Sequence, residues 1–99
     1  MPLNPVLNGA AQIATNQVSV KTTLTLIIGP RSSRRGVIIE NVTGSDVVYV
    51  GNNGASSTAG YPIPAVANAS VYIPTTAAIY GIVVTTAQTV AALEIFDNG

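Results

Sequence analysis

Four carboxylates, four cations and four tyrosines carry most of the chemistry this sequence can offer. The carboxylates are Glu40, Asp46, Glu94 and Asp97. Acid–base cleavage of a glycoside needs two carboxyl groups about 5–9.5 Å apart across a cleft. Glu40 and Glu94 fall in the middle of strands and meet only if those strands pair. The simpler reading makes them solvent-facing strand residues, each bridged to an Arg. Asp46 falls in a turn, where a carboxylate caps local N–H groups. Asp97 belongs to the terminal Asp97-Asn98-Gly99 and is expected to fray. The sequence holds no His and no Cys. Ser-His-Asp and Cys-His nucleophiles are therefore excluded, as are imidazole and thiolate metal sites and any disulfide framework. We assign no catalytic, cofactor-binding or metal-binding residue and expect a chain that is not an enzyme.

Arg31, Arg34 and Arg35 are three of the four cations and share one polar turn, Arg31 to Gly36. Such a cluster pairs bidentately with carboxylates or phosphates. The expectation is a partner contact, set against the plainer reading of a solvated loop. Four basic residues cannot neutralise a long run of phosphates, so an acidic protein partner is favoured over nucleic acid. Tyr49, Tyr61, Tyr72 and Tyr80 are four of the five aromatics. Core packing is the default for each. Tyr61 follows a Gly-rich loop and is the best exposed candidate. With Asn52 and Asn53 it forms a candidate ligand or interface site, a glycan being the ligand that suits flat aromatic area beside amides. The loop over 51–60 has no Gly-Lys-Ser/Thr ending and no following helix, so it does not cradle phosphate.

The elements that must position these residues read as strands. Residues 1–16 hold Pro2, Pro5, Gly9 and three Asn, and are expected to form an extended arm. Leu3, Val6 and Leu7 give that arm something to bury against a partner; a frayed terminus is the alternative. From Gln17 the chain is expected to form one β domain, 17–99. Val18, Val20, Leu24, Leu26 and Ile28 keep period two, with Ser19, Thr23, Thr25 and Ile27 on the other face. Gly29-Pro30 stops that run. Val37 to Val42 is the next strand, with Ile39 and Asn41 sharing a face with Val37. Thr43-Gly44-Ser45-Asp46 turns the chain, and Val47 to Val50 returns as the second arm of an expected hairpin. The loop over 51–60 lacks a hydrophobic anchor. Tyr61-Pro62-Ile63-Pro64 is extended, and its prolines place it at a sheet edge. Ser70 to Ile73, Ile79 to Thr85 and Thr89 to Phe96 complete the set, the last two joined around Thr86-Ala87-Gln88. Ala87 to Leu93 is the one stretch with some helical character, and its flanking Thr and Val favour strand. Seven to eight strands with regular turns predict an all-β fold, a single antiparallel β-sandwich or jelly-roll-like barrel.

Composition points the same way. The chain has 99 residues, the size of one domain. Only 8% are charged and the formal net charge is zero, against about 25% charged in an average soluble domain. A surface this poor in charge does not stay monomeric easily. It suits a subunit covered by its neighbours. Leu24 to Ile28, the longest apolar run, falls far short of the ~20 residues of a spanning helix, and no membrane partner is expected. Met1-Pro2-Leu3-Asn4-Pro5 lacks the basic start and unbroken apolar stretch of a secretory signal.

Several segments together resemble a known group. Arg34-Arg35-Gly36-Val37-Ile38-Ile39-Glu40-Asn41 resembles the R-R-x-x-x-I-x-N strand of small tailed-bacteriophage virion proteins. Gly44, Val48-Tyr49-Val50-Gly51, the loop over 52–59 and Gly60-Tyr61-Pro62-Ile63 follow in the order of that pattern. Ile79-Tyr80-Gly81-Ile82 and Val90-Ala91-Ala92-Leu93-Glu94 match its last two segments. The resemblance spans about residues 18–96. Where the pattern has a Gly before its next strand, this chain has Pro64-Ala65-Val66-Ala67-Asn68. The group consists of small β-sandwich proteins that decorate or cement capsids or form the base of head fibres. The resemblance implies a non-enzymatic structural protein of the virion, on the outer capsid surface. It also implies the major capsid protein as partner, self-association as a homo-oligomer, a trimer by symmetry habit, and no cofactor. A neck, tail or head-fibre adaptor, or a carbohydrate-binding module of the virion, is the alternative.

Overall fold

The computed structural model describes residues 11–97. Eight strands account for its regular structure: β1 (Ala11–Val20), β2 (Thr25–Ile28), β3 (Arg34–Asn41), β4 (Val48–Gly51), β5 (Tyr61–Ile63), β6 (Ala69–Ile73), β7 (Ile79–Ile82) and β8 (Gln88–Asp97). No helix occurs among the described residues, and Ala87 to Leu93 lies almost wholly within β8. Two four-stranded antiparallel sheets form, one ordered β1-β8-β3-β6 and the other β2-β7-β4-β5. The chain passes from one sheet to the other at nearly every connection. That order is the eight-stranded jelly roll, a β-sandwich built from two Greek keys.

The core lies between the sheets. Val20, Val37, Ile39, Val90 and Ala92 come from the first sheet, and Ile27, Val48, Val50, Ile63 and Ile79 from the second. These β-branched side chains suit a pleated, half-buried surface. Val37, Ile39 and Asn41 do share the buried face, as the period-two reading of β3 expects. So does the edge position of the Tyr61-Pro62-Ile63 segment, because β5 ends the second sheet.

Four local expectations are corrected. First, Ala11 to Asn16, read as part of the arm, belong to β1 and pair with Asp97 to Ala92 of β8. A lone Gly9 and scattered Asn obscured a strand whose partner lies at the far end of the chain. Residues 1–10, with Leu3, Val6 and Leu7, lie outside the described residues. Second, the run from Val18 to Ile28 is not one strand. It breaks at Lys21 to Leu24, where the chain changes sheets, and Ile27 becomes the core residue while Leu24 and Leu26 are exposed. A register shift between Leu26 and Ile28 completes the change of face. Third, β3 and β4 are not a hairpin. Val37 to Asn41 pair with β6 and β8, and Val48 to Gly51 pair with β5 and β7. The turn between them is an arch across the sandwich. The same holds for β7 and β8. Fourth, the loop over 51–60 has an anchor: Ala55 is buried and packs close to Gly51.

Two backbone positions need a left-handed conformation. Gly44 has φ 73°, and a Cβ there would overlap the backbone of Ala67. Asn68 also has φ 73°, immediately before β6. Asn is among the few residues other than Gly that visit this region at low cost.

Candidate functional site

The two mid-strand carboxylates do not form a site. β3 and β8 do pair, but Val37 lies opposite Glu94 and Ala91 opposite Glu40. Glu94 is buried on the inner face with Gln88, Val90 and Ala92. Glu40 stands half-buried on the outer face, in a shallow depression with Thr15, Gln17, Ile38 and Leu93. Separated by the sheet, the pair cannot flank one bond. No group of three or more acidic, His or Cys residues that could hold a metal occurs among the described residues.

The Arg cluster is mostly turned inward. A register shift between Arg34 and Gly36 against β8 is a β-bulge that changes the face on which Arg34 falls. Its side chain is fully buried, and Nε donates to Glu94 Oε2 at 2.8 Å. Nη1 donates to the carbonyl of Ala77 at 2.8 Å, and Nη2 donates to the carbonyl of Gly29. Arg34 thus ties β8, the β2–β3 connection and the β6–β7 connection at one end of the sandwich. Arg31 Nε donates to the same Glu94 oxygen at 2.7 Å, and its guanidinium lies 3.9 Å from the Phe96 ring centroid. Arg35 Nε donates to Asp97 Oδ1 at 2.6 Å, both side chains about half exposed. The expectation that Arg34 meets a partner is therefore corrected: its donors are spent inside the chain. Arg31 and Arg35 remain accessible but are already paired.

The opposite end is closed by a second set of polar side chains. Asn41, fully buried, donates through Nδ2 to the carbonyls of Asp46 and Pro64, and its Oδ1 accepts from Gly44 N. Gln88, expected in a turn, is also fully buried: Oε1 accepts from Ser45 N, and Nε2 donates to Ser45 Oγ and two carbonyls. Asp46 caps as expected, but across the sandwich. Its Oδ2 accepts from Thr86 N, Thr85 N and Thr85 Oγ1, while Oδ1 accepts from Val47 N. The Thr86 and Thr85 bonds, foremost among the causes, lower the Asp46 carboxyl from 3.8 to about 2. For Glu94, burial pushes the carboxyl up, but the hydrogen bonds and charges of Arg31 and Arg34 together hold it below its ordinary value. Each end is locked by groups whose partners come from distant parts of the chain.

One candidate for a ligand or partner is an apolar groove of about 420 Å³ at the Arg-bearing end. It lies where the two sheet edges β5 and β6 part. Val50 and Ile79 line it from one sheet, Val71 and Ile73 from the other, and Tyr61 and Asn52 stand at its rim. Tyr61 is 63% exposed. The sequence-based pairing of Asn52 with Tyr61 is thus brought together; Asn53, exposed in the same loop, does not line the groove. The apolar wall was missed. Alternation in Ala69, Val71 and Ile73 marks an inner face, but nothing local says that this face lacks a cover.

The outer faces are the second candidate surface. Leu93 lies opposite both Thr15 and Ile38, and Ile38 opposite Tyr72, giving one row across the first sheet. Ile13 and Ile95 lie beside it. The Tyr72 ring covers Gly36, where a Cβ would collide with it. On the second sheet, Leu26 pairs with Tyr80, and Tyr49 with Ile82 and Pro62. Three Arg and two carboxylates gather at one end, Lys21 and Asp46 lie in turns, and Glu40 alone stands mid-sheet.

No family model matches the chain, and no curated protein matches it. Among solved structures, a Bacillus endospore appendage from a family of disulfide-linked pili is similar, with a TM-score of 0.50 and 18% identity, over 100% of both chains. The likeness shows the fold alone. The present chain has no Cys with which to form such a disulfide link.

Proposed function

We propose that this chain is a non-enzymatic structural subunit that binds the outside of a bacteriophage capsid and stabilises it, assembling as a homo-oligomer. One observation carries the assembly part of this reading: apart from Glu40, the outward mid-sheet positions hold no charge, and several hold exposed apolar side chains such as Ile13, Leu26 and Tyr72. Large apolar faces of this kind mark interaction surfaces. The bacteriophage setting comes from the sequence resemblance. The capsid protein is the partner that resemblance implies, and the groove beside Tyr61 is where an apolar segment of it would seat.

Stabilisation would come from apolar area buried across several shell subunits, multiplied when one oligomer grips several sites. The test is reconstitution. Particles lacking the chain are mixed with the purified protein, and copy number and shell melting temperature are measured. Binding in simple ratio to the major capsid protein, with a raised melting temperature, is the expected result. Tyr61→Ala should weaken binding while leaving the fold's stability within about 0.5 kcal/mol. A handful of copies at one vertex would favour the neck, tail or head-fibre reading. No binding would overturn the proposal.

A further inference from the structure

Ion pairing within the chain leaves one carboxylate and one cation over. Among the described residues, Glu94 is held by Arg31 and Arg34, Asp97 by Arg35, and Asp46 by the Thr85 and Thr86 N–H groups. The Glu40 carboxylate has no hydrogen-bond or ion-pair partner among them, and Lys21 is the one cation with no carboxylate beside it. The two do not meet within one molecule. Glu40 lies in a row with Ala91 and Gln17, and Lys21 follows four residues after Gln17, on the far side of β8. Strand spacing and rise put them roughly 16 Å apart.

Each sits in a setting that the other fits. Glu40 walls a hollow of about 450 Å³ on the outer face of the first sheet. Ala91, a small residue on the inner strand β8, leaves the hollow open, and Ile38 and Leu93 give it apolar sides. A carboxylate half-buried among apolar side chains favours a cation that arrives on an apolar stem. Lys21 stands exposed at the other end of the sandwich from the Arg cluster, directly after Val20, which pairs with Gln88. Its N donates to Thr25 Oγ1 and its carbonyl accepts from Val83 N, both at 3.1 Å. These bonds brace a knob in which exposed Leu24 and Val84 belong to the same two joined segments.

We infer that the Lys21 knob of one copy docks in the Glu40 hollow of a second copy. The occupant is a second copy because the chain itself displays what the hollow lacks: one unpaired cation flanked by apolar side chains, against one unpaired carboxylate flanked by apolar side chains. The three Arg are already paired. Knob and hollow are different surfaces, so the contact is heterologous, and each copy keeps one of the two free for the next. Contacts of this kind close into a ring, the three-fold ring of the resemblance included, or continue as a filament.

This deepens the assembly part of the proposed function, rests on it only for self-association, and needs no particle. The test is the mass of the purified full chain by sedimentation over a range of concentrations. Trimers or larger species are the expected result. Glu40→Lys and Lys21→Glu should each weaken assembly about tenfold or more, by setting like charges against each other. The two substitutions combined in one chain should restore assembly, because the pair forms again with its charges exchanged. Melting curves establish that all three variants are folded. A monomeric wild-type chain, a species that stops at two copies, single variants that assemble like the wild type, or a double variant that does not recover would each overturn the inference. Particle binding by the wild-type chain, measured separately, decides the capsid reading, so either can fail while the other stands.

Discussion

Arg34 and Arg35 are neighbours of the same type with opposite fates. Arg34 is enclosed with Glu94 and backbone carbonyls; Arg35 meets Asp97 at the surface. Arg34→Ala leaves Glu94 buried with only Arg31 beside it and takes the guanidinium donors from the carbonyls of Gly29, Thr75 and Ala77, so a loss of about 3 kcal/mol is expected. Arg35→Ala should change stability by less than about 1 kcal/mol, because exposed ion pairs contribute little. Denaturant midpoints with unchanged slopes would check both, and equal effects would contradict the burial argument. Asp46 gives a pH signature. Its carboxyl is lowered in the fold from 3.8 to about 2, chiefly by the Thr86 and Thr85 bonds. Between those values the unfolded chain binds more protons, so stability rises with pH through that window and is flat above it. Asp46→Asn should lower the melting temperature at neutral pH. The gap from wild type should narrow as pH falls from 3.8 towards 2. A constant gap would mean that the Asp46 charge is not what the Thr85 and Thr86 N–H groups hold.

At the scale of elements, β1 is structural. Its ten residues lie along β8, between which and β6 lies β3. Removing residues 1–16 takes Ala11 to Asn16 from that ladder and leaves the edge of β8 from Ala92 to Asp97 without its backbone partners. Removing residues 1–10 spares it. The longer truncation should therefore lower the melting temperature far more than the shorter one, as circular dichroism would record. Similar losses from both would place the stabilising contacts within residues 1–10. The turn elements make a related point. Asn68 holds the left-handed position before β6, a conformation that Asn adopts at lower cost than most residues other than Gly. The bulge beside Arg34 is equally specific: it turns a cation inward that simple alternation would leave outside.

For the whole molecule, the segments that resemble phage virion proteins are largely those that close the sandwich. Arg34 and Asn41 bracket β3 and lock its two ends, and Glu94 is the acceptor for Arg34. Ile39, Val48 and Val50 are core. The resemblance is thus borne in large part by residues that make a jelly roll. With zero net charge and the charged groups confined mostly to the ends, electrostatic repulsion does little to keep copies apart. The spread of exposed apolar side chains over the sheet faces is consistent with a molecule stabilised further by assembly.

The sequence by itself determined that the chain is all-β, where most strands lie, and that no nucleophile or metal chemistry needing His or Cys is available. These follow from local properties: period-two alternation, β-branched composition, Gly and Pro at turns, and residue types simply absent. Tertiary structure alone decided which strands share a sheet. A tight turn such as Thr43 to Asp46 reads as a hairpin until Asn41, Asp46, Thr85 and Gln88 are seen to bind it across the sandwich. It also decided that Ile27 faces the core while Leu26 does not, that Arg34 is buried, and that Val71 and Ile73 line an open groove. Each of those depends on contacts between residues far apart in the chain, or on a one-residue bulge that reverses every following face. Strand periodicity is a local quantity and carries no record of either.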